Sequence, residues 1–298
     1  MTDIKGIIIP IITPMHEDES VNYKELRIQI NRAIDGGVHG VFIFGTNGEG
    51  YILSEEEKIE IMKVTVDEVG GRVPVYASTG LIGTADTIRL SNQAKEIGVD
   101  VLSIITPSFA AASQDELYTH FKTVAENVDM PIVLYNIPAR SGNSIAPTTV
   151  GKLSKIKNIV GVKDSSGNFD NILQYIEQTR DRKDFAVLSG NDSLILWTLL
   201  AGGVGGIAGC ANIYPHVMSQ IFEQYQAGNV EEARKYQDSI RTFRDCFKFG
   251  NPNTIVKHTV SMLGYPVGKC RAPFNQVSNQ AIEALEKVVH ENKENGMK

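Results

Sequence analysis

Residues 131–136 read Pro-Ile-Val-Leu-Tyr-Asn, and residues 159–163 read Ile-Val-Gly-Val-Lys. Each run is short, rich in valine or isoleucine, and almost wholly apolar until a polar side chain closes it. Such runs suit parallel strands buried on both faces, because crossover helices cover both sides of a parallel sheet. Six more runs of this kind lie outward along the chain: GIIIPII (6–12), VFIF (41–44), VPVYAS (73–78), VLSII (101–105), FAVLS (185–189) and GVGGIAG (203–209). Between them stand stretches with helical patterning, such as 23–35, 54–69, 84–97 and 114–127. Ser54 with Glu57 three residues on predicts a capping box, and Ser113 predicts an N-cap for the helix that follows it.

Eight strands alternating with helices can form an open doubly wound sheet or a closed barrel. The count of eight and the length of 298 residues favour an α/β (β/α)8 TIM barrel, which needs roughly 250 residues. From about residue 230 the pattern turns mainly helical, with more helix than a barrel uses for its last turn. The expected division is therefore a catalytic barrel over 1–225 and a C-terminal helical domain over 226–298. The polar tail HENKENGMK after Val289 is expected to fray.

Composition narrows the function classes. A formal charge of −6 with no basic block argues against a nucleic-acid partner. The first apolar run contains Pro10 and is followed by Pro14, so it suits neither a signal-peptide core nor a membrane span. Cys210, Cys246 and Cys270 are odd in number and lack CxxC spacing, as expected of reduced residues in a cytoplasmic protein. The six histidines are scattered without HxH or HExxH spacing, so no metal site is expected.

In a barrel of this kind the chemistry sits at the C-terminal ends of the strands. Three segments there stand out. Gly45-Thr46-Asn47-Gly48-Glu49 could present backbone N–H groups to a carboxylate, or could be only a tight turn. Tyr135 closes its strand where the hydroxyl would face the barrel mouth, as a general acid or base or as a core aromatic with a satisfied hydroxyl. Arg140 offers a planar fork for a carboxylate, or is a solvated loop residue. Lys163 ends an apolar run; a lysine held there can serve as an imine-forming nucleophile, or can snorkel to water. Consecutive βα units neighbour each other, so Tyr135 and Lys163 should lie side by side. Elsewhere, the glycines of 202–209 do not make a dinucleotide fingerprint, since Ala208 stands where a glycine is required. They let the eighth strand approach a ligand or pack tightly. Asp192 reads as a helix cap in preference to a ligand contact.

GTNGEG (45–50), YNIPARSG (135–142) and GVKDSSGN (161–168) resemble the signatures of the dihydrodipicolinate synthase and N-acetylneuraminate lyase family. The resemblance covers nearly the whole chain, including SGNDSL and GGVGGIAGCAN. It implies a barrel with a C-terminal helical domain, assembled as a homotetramer. It also implies that Lys163 forms an imine with pyruvate or a pyruvate-containing acid. Tyr135 would shuttle protons and Thr46 would hydrogen-bond that tyrosine. Thr46 and Asn47 would hold the pyruvate carboxylate, and the Ile207 carbonyl would face the site. No metal or organic cofactor is implied.

Departures from the pattern bear on the second substrate. Synthases of the family usually carry Thr-Pro-Tyr-Tyr after the fourth strand, whereas residues 106–109 are Thr-Pro-Ser-Phe, and GTNGE replaces GTTGE. Asn47 and the CRAP run at 270–273 resemble the hydroxy-oxoglutarate aldolase branch, while Arg140 matches the arginine that synthases use for the aldehyde's carboxylate. The expected activity is thus cleavage or formation of a 2-keto-3-deoxy or 4-hydroxy-2-keto acid from pyruvate and an aldehyde. Condensation of pyruvate with aspartate semialdehyde, as in 4-hydroxy-tetrahydrodipicolinate synthase, is the alternative. Sialic-acid cleavage and sugar-acid dehydration stand behind these. A catalytically silent keto-acid sensor is the alternative of another class.

Overall fold

Strands that are apolar on both faces must be covered on both faces, and closing the sheet supplies one of those covers. In the computed structural model, which describes residues 3–297, eight parallel strands close into a barrel in sequence order. They are β1 (Gly6–Pro10), β2 (Gly40–Ile43), β3 (Val75–Ser78), β4 (Val101–Ile105), β5 (Ile132–Asn136), β6 (Ile159–Asp164), β7 (Ala186–Ser189) and β8 (Gly205–Ile207). The bore is a packed core rather than a pore: Ile8, Phe42, Tyr76, Val133, Leu188 and Ile207 meet inside it. The alternate residues, among them Ile7, Ile9, Val41, Ile43, Leu134 and Val162, belong to the separate apolar layer under the helices.

The eighth run is shorter as a strand than its sequence suggests, and its glycines serve close packing. Gly205 pairs with Gly6 across the closing seam and has φ +152°, and a Cβ there would lie 2.1 Å from the Gly6 carbonyl oxygen. A Cβ on Gly206 would meet the Ile195 side chain at 2.6 Å. Only residues without side chains let β8 complete the barrel.

Local signals place the helix starts. Ser54 and Glu57 form the reciprocal capping box, with Ser54 N–H donating to Glu57 Oε2 at 2.8 Å and Glu57 N–H to Ser54 Oγ at 3.2 Å. Ser113 does the same with Glu116. After the helix Pro215–Gln226 come helices Val230–Ser239, Arg241–Asp245, Pro252–Met262 and Asn279–Glu294. The tail corrects the expectation from composition. The last helix runs five residues beyond Val289, and Asn292 is buried, donating to the Tyr214 hydroxyl at 3.0 Å. A polar residue with a buried partner is ordered, whatever its hydropathy. Among the described residues no helix is long and apolar enough to cross a membrane.

The closing seam gives a direct test. Gly205→Ala is expected to destabilise the barrel by about 2 kcal/mol or more, through overpacking against backbone at a positive φ. The readout is the midpoint of urea unfolding. An unchanged midpoint would mean that β1 and β8 can separate freely at this point.

Candidate active site

Side chains alternate along a strand, so residues paired across two parallel strands share a face. The register of β5 and β6 pairs Tyr135 with Lys163 and Asn136 with Asp164. Tyr135 and Lys163 both point into the barrel mouth, with the Lys163 amine 3.8 Å from the centre of the Tyr135 ring and 5.0 Å from that of Phe42 below. Lys163 is only 4% exposed. The loop after β7 confines its stem, for a Cβ on Gly190 would lie 2.9 Å from Lys163 Cε and 1.9 Å from Ser165 Oγ.

The Tyr135 hydroxyl shares a hydrogen bond of 3.3 Å with Thr46 Oγ1. Burial pushes the Tyr135 phenol up. The positive charge of Lys163 and the bonds with Thr46, Lys163 and Ser165 outweigh burial and bring it below its ordinary value. A phenol so placed can give up and take back a proton beside an amine.

Thr46 and Asn47 sit at the tip of the turn after β2. That turn is tight: a Cβ on Gly48 would meet the Ile11 carbonyl oxygen at 2.8 Å, and one on Gly50 the Phe44 carbonyl oxygen at 2.2 Å. Thr13 Oγ1 donates to the Gly48 carbonyl at 2.7 Å. The turn is close-packed and still presents Thr46 and Asn47 to the cavity.

Thr46, Asn47, Tyr135, Arg140, Lys163 and Ile207 all line one cavity of about 180 Å³. Arg140 stands at its exposed edge, on the short helix Pro138–Ser141. A larger space of about 490 Å³ adjoins it and shares Thr46, Tyr135 and Arg140 as walls.

Other residues at the site escaped the sequence reading. Arg244 lines the cavity, and its guanidinium donates to Asn191 Oδ1 at 2.8 Å and to Asp192 Oδ2 at 3.1 Å. Asp192 is therefore not the helix cap that was expected. Asn191 caps that turn, accepting from Ser193 N–H, while Asp192 is buried as the partner of Arg244. A buried carboxylate is held more strongly by a guanidinium than by a cap. Asp164, next to Lys163 in sequence, points to the opposite face. It accepts from Asn136 Nδ2 at 2.7 Å, Ser166 Oγ at 2.6 Å and Asn171 Nδ2 at 3.0 Å. Burial raises its pKa, and these three donors offset only part of that. The strand alternation already implied its direction. Among the described residues no group of three or more His, Cys, Asp and Glu is placed to hold a metal ion.

Known proteins share both this fold and these motifs. The sequence model of the dihydrodipicolinate synthetase family matches residues 3–292. A 4-hydroxy-tetrahydrodipicolinate synthase of Methanopyrus kandleri is 38% identical over 285 residues, 95% of this chain and 94% of the relative. The crystal structure of a Bacillus anthracis dihydrodipicolinate synthase superposes with a TM-score of 0.92 at 33% identity, covering 97% of this chain and 99% of the other. A pyruvate-bound Escherichia coli prophage protein described as belonging to the dihydrodipicolinic acid synthase family gives 0.93 at 29% identity, with 97% and 98% covered. Whole-chain matches of this extent, carried by a closed eight-stranded barrel with lysine and tyrosine paired on β6 and β5, leave one conclusion: the chain belongs to the dihydrodipicolinate synthetase family.

Proposed function

We propose that the protein is a class I, pyruvate-dependent aldolase or lyase that works through an imine on Lys163. The observation that carries this reading is the buried pair on β5 and β6, an amine 3.8 Å from the ring of a phenol that is itself bonded to Thr46. The Lys163 amine attacks the keto carbon, and the resulting carbinolamine loses water to give a protonated imine. In the cleavage direction the C3–C4 bond breaks and its electron pair moves into the imine, leaving an enamine and an aldehyde. Protonation at C3 and addition of water then release pyruvate and restore the amine. Tyr135 carries protons to and from the carbinolamine oxygen and the departing oxygen, with Thr46 holding its hydroxyl. Thr46 and Asn47 take the keto-acid carboxylate, and Ile207 lines the same cavity. The protonated imine is the electron sink, so the scheme uses no metal or organic cofactor.

A cavity of about 180 Å³ is smaller than the roughly 300 Å³ at which pockets begin to suit drug-sized ligands. It fits a small keto acid and a short aldehyde. Phe109, which offers no hydroxyl, and Asn47 in the turn favour a 2-keto-3-deoxy or 4-hydroxy-2-keto acid as the substrate. Condensation of pyruvate with aspartate semialdehyde is the second reading. Arg140 at the cavity edge favours it, as does the naming of the Methanopyrus relative as a 4-hydroxy-tetrahydrodipicolinate synthase. A homotetramer is part of the proposal. Its support is the family resemblance together with exposed Tyr51 and Ile82 beside the larger cavity and the fully exposed Phe109. Three buried, unpaired cysteines accord with a cytoplasmic setting.

Incubation with pyruvate and borohydride should add one reduced pyruvate to the intact mass, on Lys163, and Lys163→Ala should abolish it. Undiminished labelling or turnover in that variant would end the imine reading. Tyr135→Phe is expected to slow pyruvate release by about 10²-fold or more in a coupled assay, and a wild-type rate would remove Tyr135 from the proton path. Phe109→Tyr should raise any turnover with aspartate semialdehyde; no gain would show that the missing hydroxyl is not what limits it.

A further inference from the structure

The turn that carries Thr46 and Asn47 is bounded by two non-glycine residues in the left-handed region, Phe44 (φ +64°) and Glu49 (φ +56°). Such conformations persist only where the surroundings over-determine them. At Glu49 the surroundings come from the C-terminal helical part of the chain. Its Oε1 accepts from Lys257 Nζ at 2.7 Å and its Oε2 from the Arg271 N–H at 2.8 Å. Both Glu49 and Lys257 are 1% exposed or less, and neither lines the cavity. Further ties run the same way: Asn253 Nδ2 donates to the Tyr51 hydroxyl at 3.0 Å, and the Arg271 guanidinium grips Glu57.

We infer that Glu49 and Lys257 are positioning residues for the keto-acid carboxylate, a role that rests on the imine reading above. The connection is short, because Glu49 N–H donates to the Thr46 carbonyl at 3.2 Å. Any shift of Glu49 is passed to Thr46, and through its hydroxyl to Tyr135. A buried ion pair is a poor device for stability alone, since apolar residues of similar volume often serve as well. It is a good device for fixing one carboxylate in one place, with each oxygen committed to a different donor.

The test is the pyruvate concentration that half-saturates borohydride trapping, measured by intact mass on the full chain. It is made on wild type, on Lys257→Met, and on the neutral double variant Glu49→Gln with Lys257→Met. Lys257→Met is expected to raise the half-saturating concentration on the order of 10-fold to 10²-fold, as for a displacement near 1 Å at a binding group. Label should still reach Lys163 at saturating pyruvate. The double variant leaves no unpaired buried charge, so its thermal midpoint should recover towards wild type while its half-saturation stays raised. A folded double variant with wild-type half-saturation overturns the inference, because the pair is then scaffold only. Wild type that forms no adduct defeats the imine reading itself, and this inference with it.

Discussion

In a closed parallel barrel every second residue of every strand must point into the bore, and the bore has room for little beyond apolar side chains. That constraint governs the rest of this molecule. On β6 it alternates Gly161 and Lys163 inward with Val162 and Asp164 outward. On β5 it turns Val133 and Tyr135 inward beside them. Tyr76 takes a hydroxyl into the bore as well, but the bore opens to a ligand only at the top layer. The Lys163 amine and the Tyr135 phenol occupy that layer, side by side by the register of β5 and β6, where both are buried and still line the cavity.

The same constraint explains why so much was legible from sequence. Burial on both faces makes each strand an unbroken apolar run, and Lys163 at the end of such a run is conspicuous for its cost. Adjacency of Tyr135 and Lys163 follows from consecutive βα units, so it too is legible in the sequence. The capping boxes at Ser54 and Ser113 are local patterns and appear where local patterns place them.

What sequence hid was long-range. Glu49 meets Lys257 across 208 positions, and Arg244 meets Asp192 across 52. Neither pair leaves a spacing signature, although a lysine inside the apolar run Thr254-Ile255-Val256-Lys257 is an anomaly of the same kind as Lys163. Sequence points Asp192 to a cap because capping is judged from nearest neighbours, while its partner comes from a helix much further on. The tail differs for the reverse reason. Its composition is that of a frayed end, but Asn292 finds a buried hydroxyl on Tyr214. The glycines at 202–209 left two readings open because what a missing Cβ would strike is visible only in three dimensions.

The connectivity of the barrel has one more consequence. Each strand rises towards the mouth and its helix descends again, so the amino-terminal ends of the surrounding helices gather around the rim. Peptide dipoles aligned in this way place partial positive charge there. Acidic side chains stand in the first turns of the same helices, among them Glu25, Glu55, Asp86, Asp115 and Asp170, so side chains oppose the backbone dipoles at the rim. The helix dipoles gathered at the rim are thus answered in part by the chain's own carboxylates, which stabilise the helices that bear them.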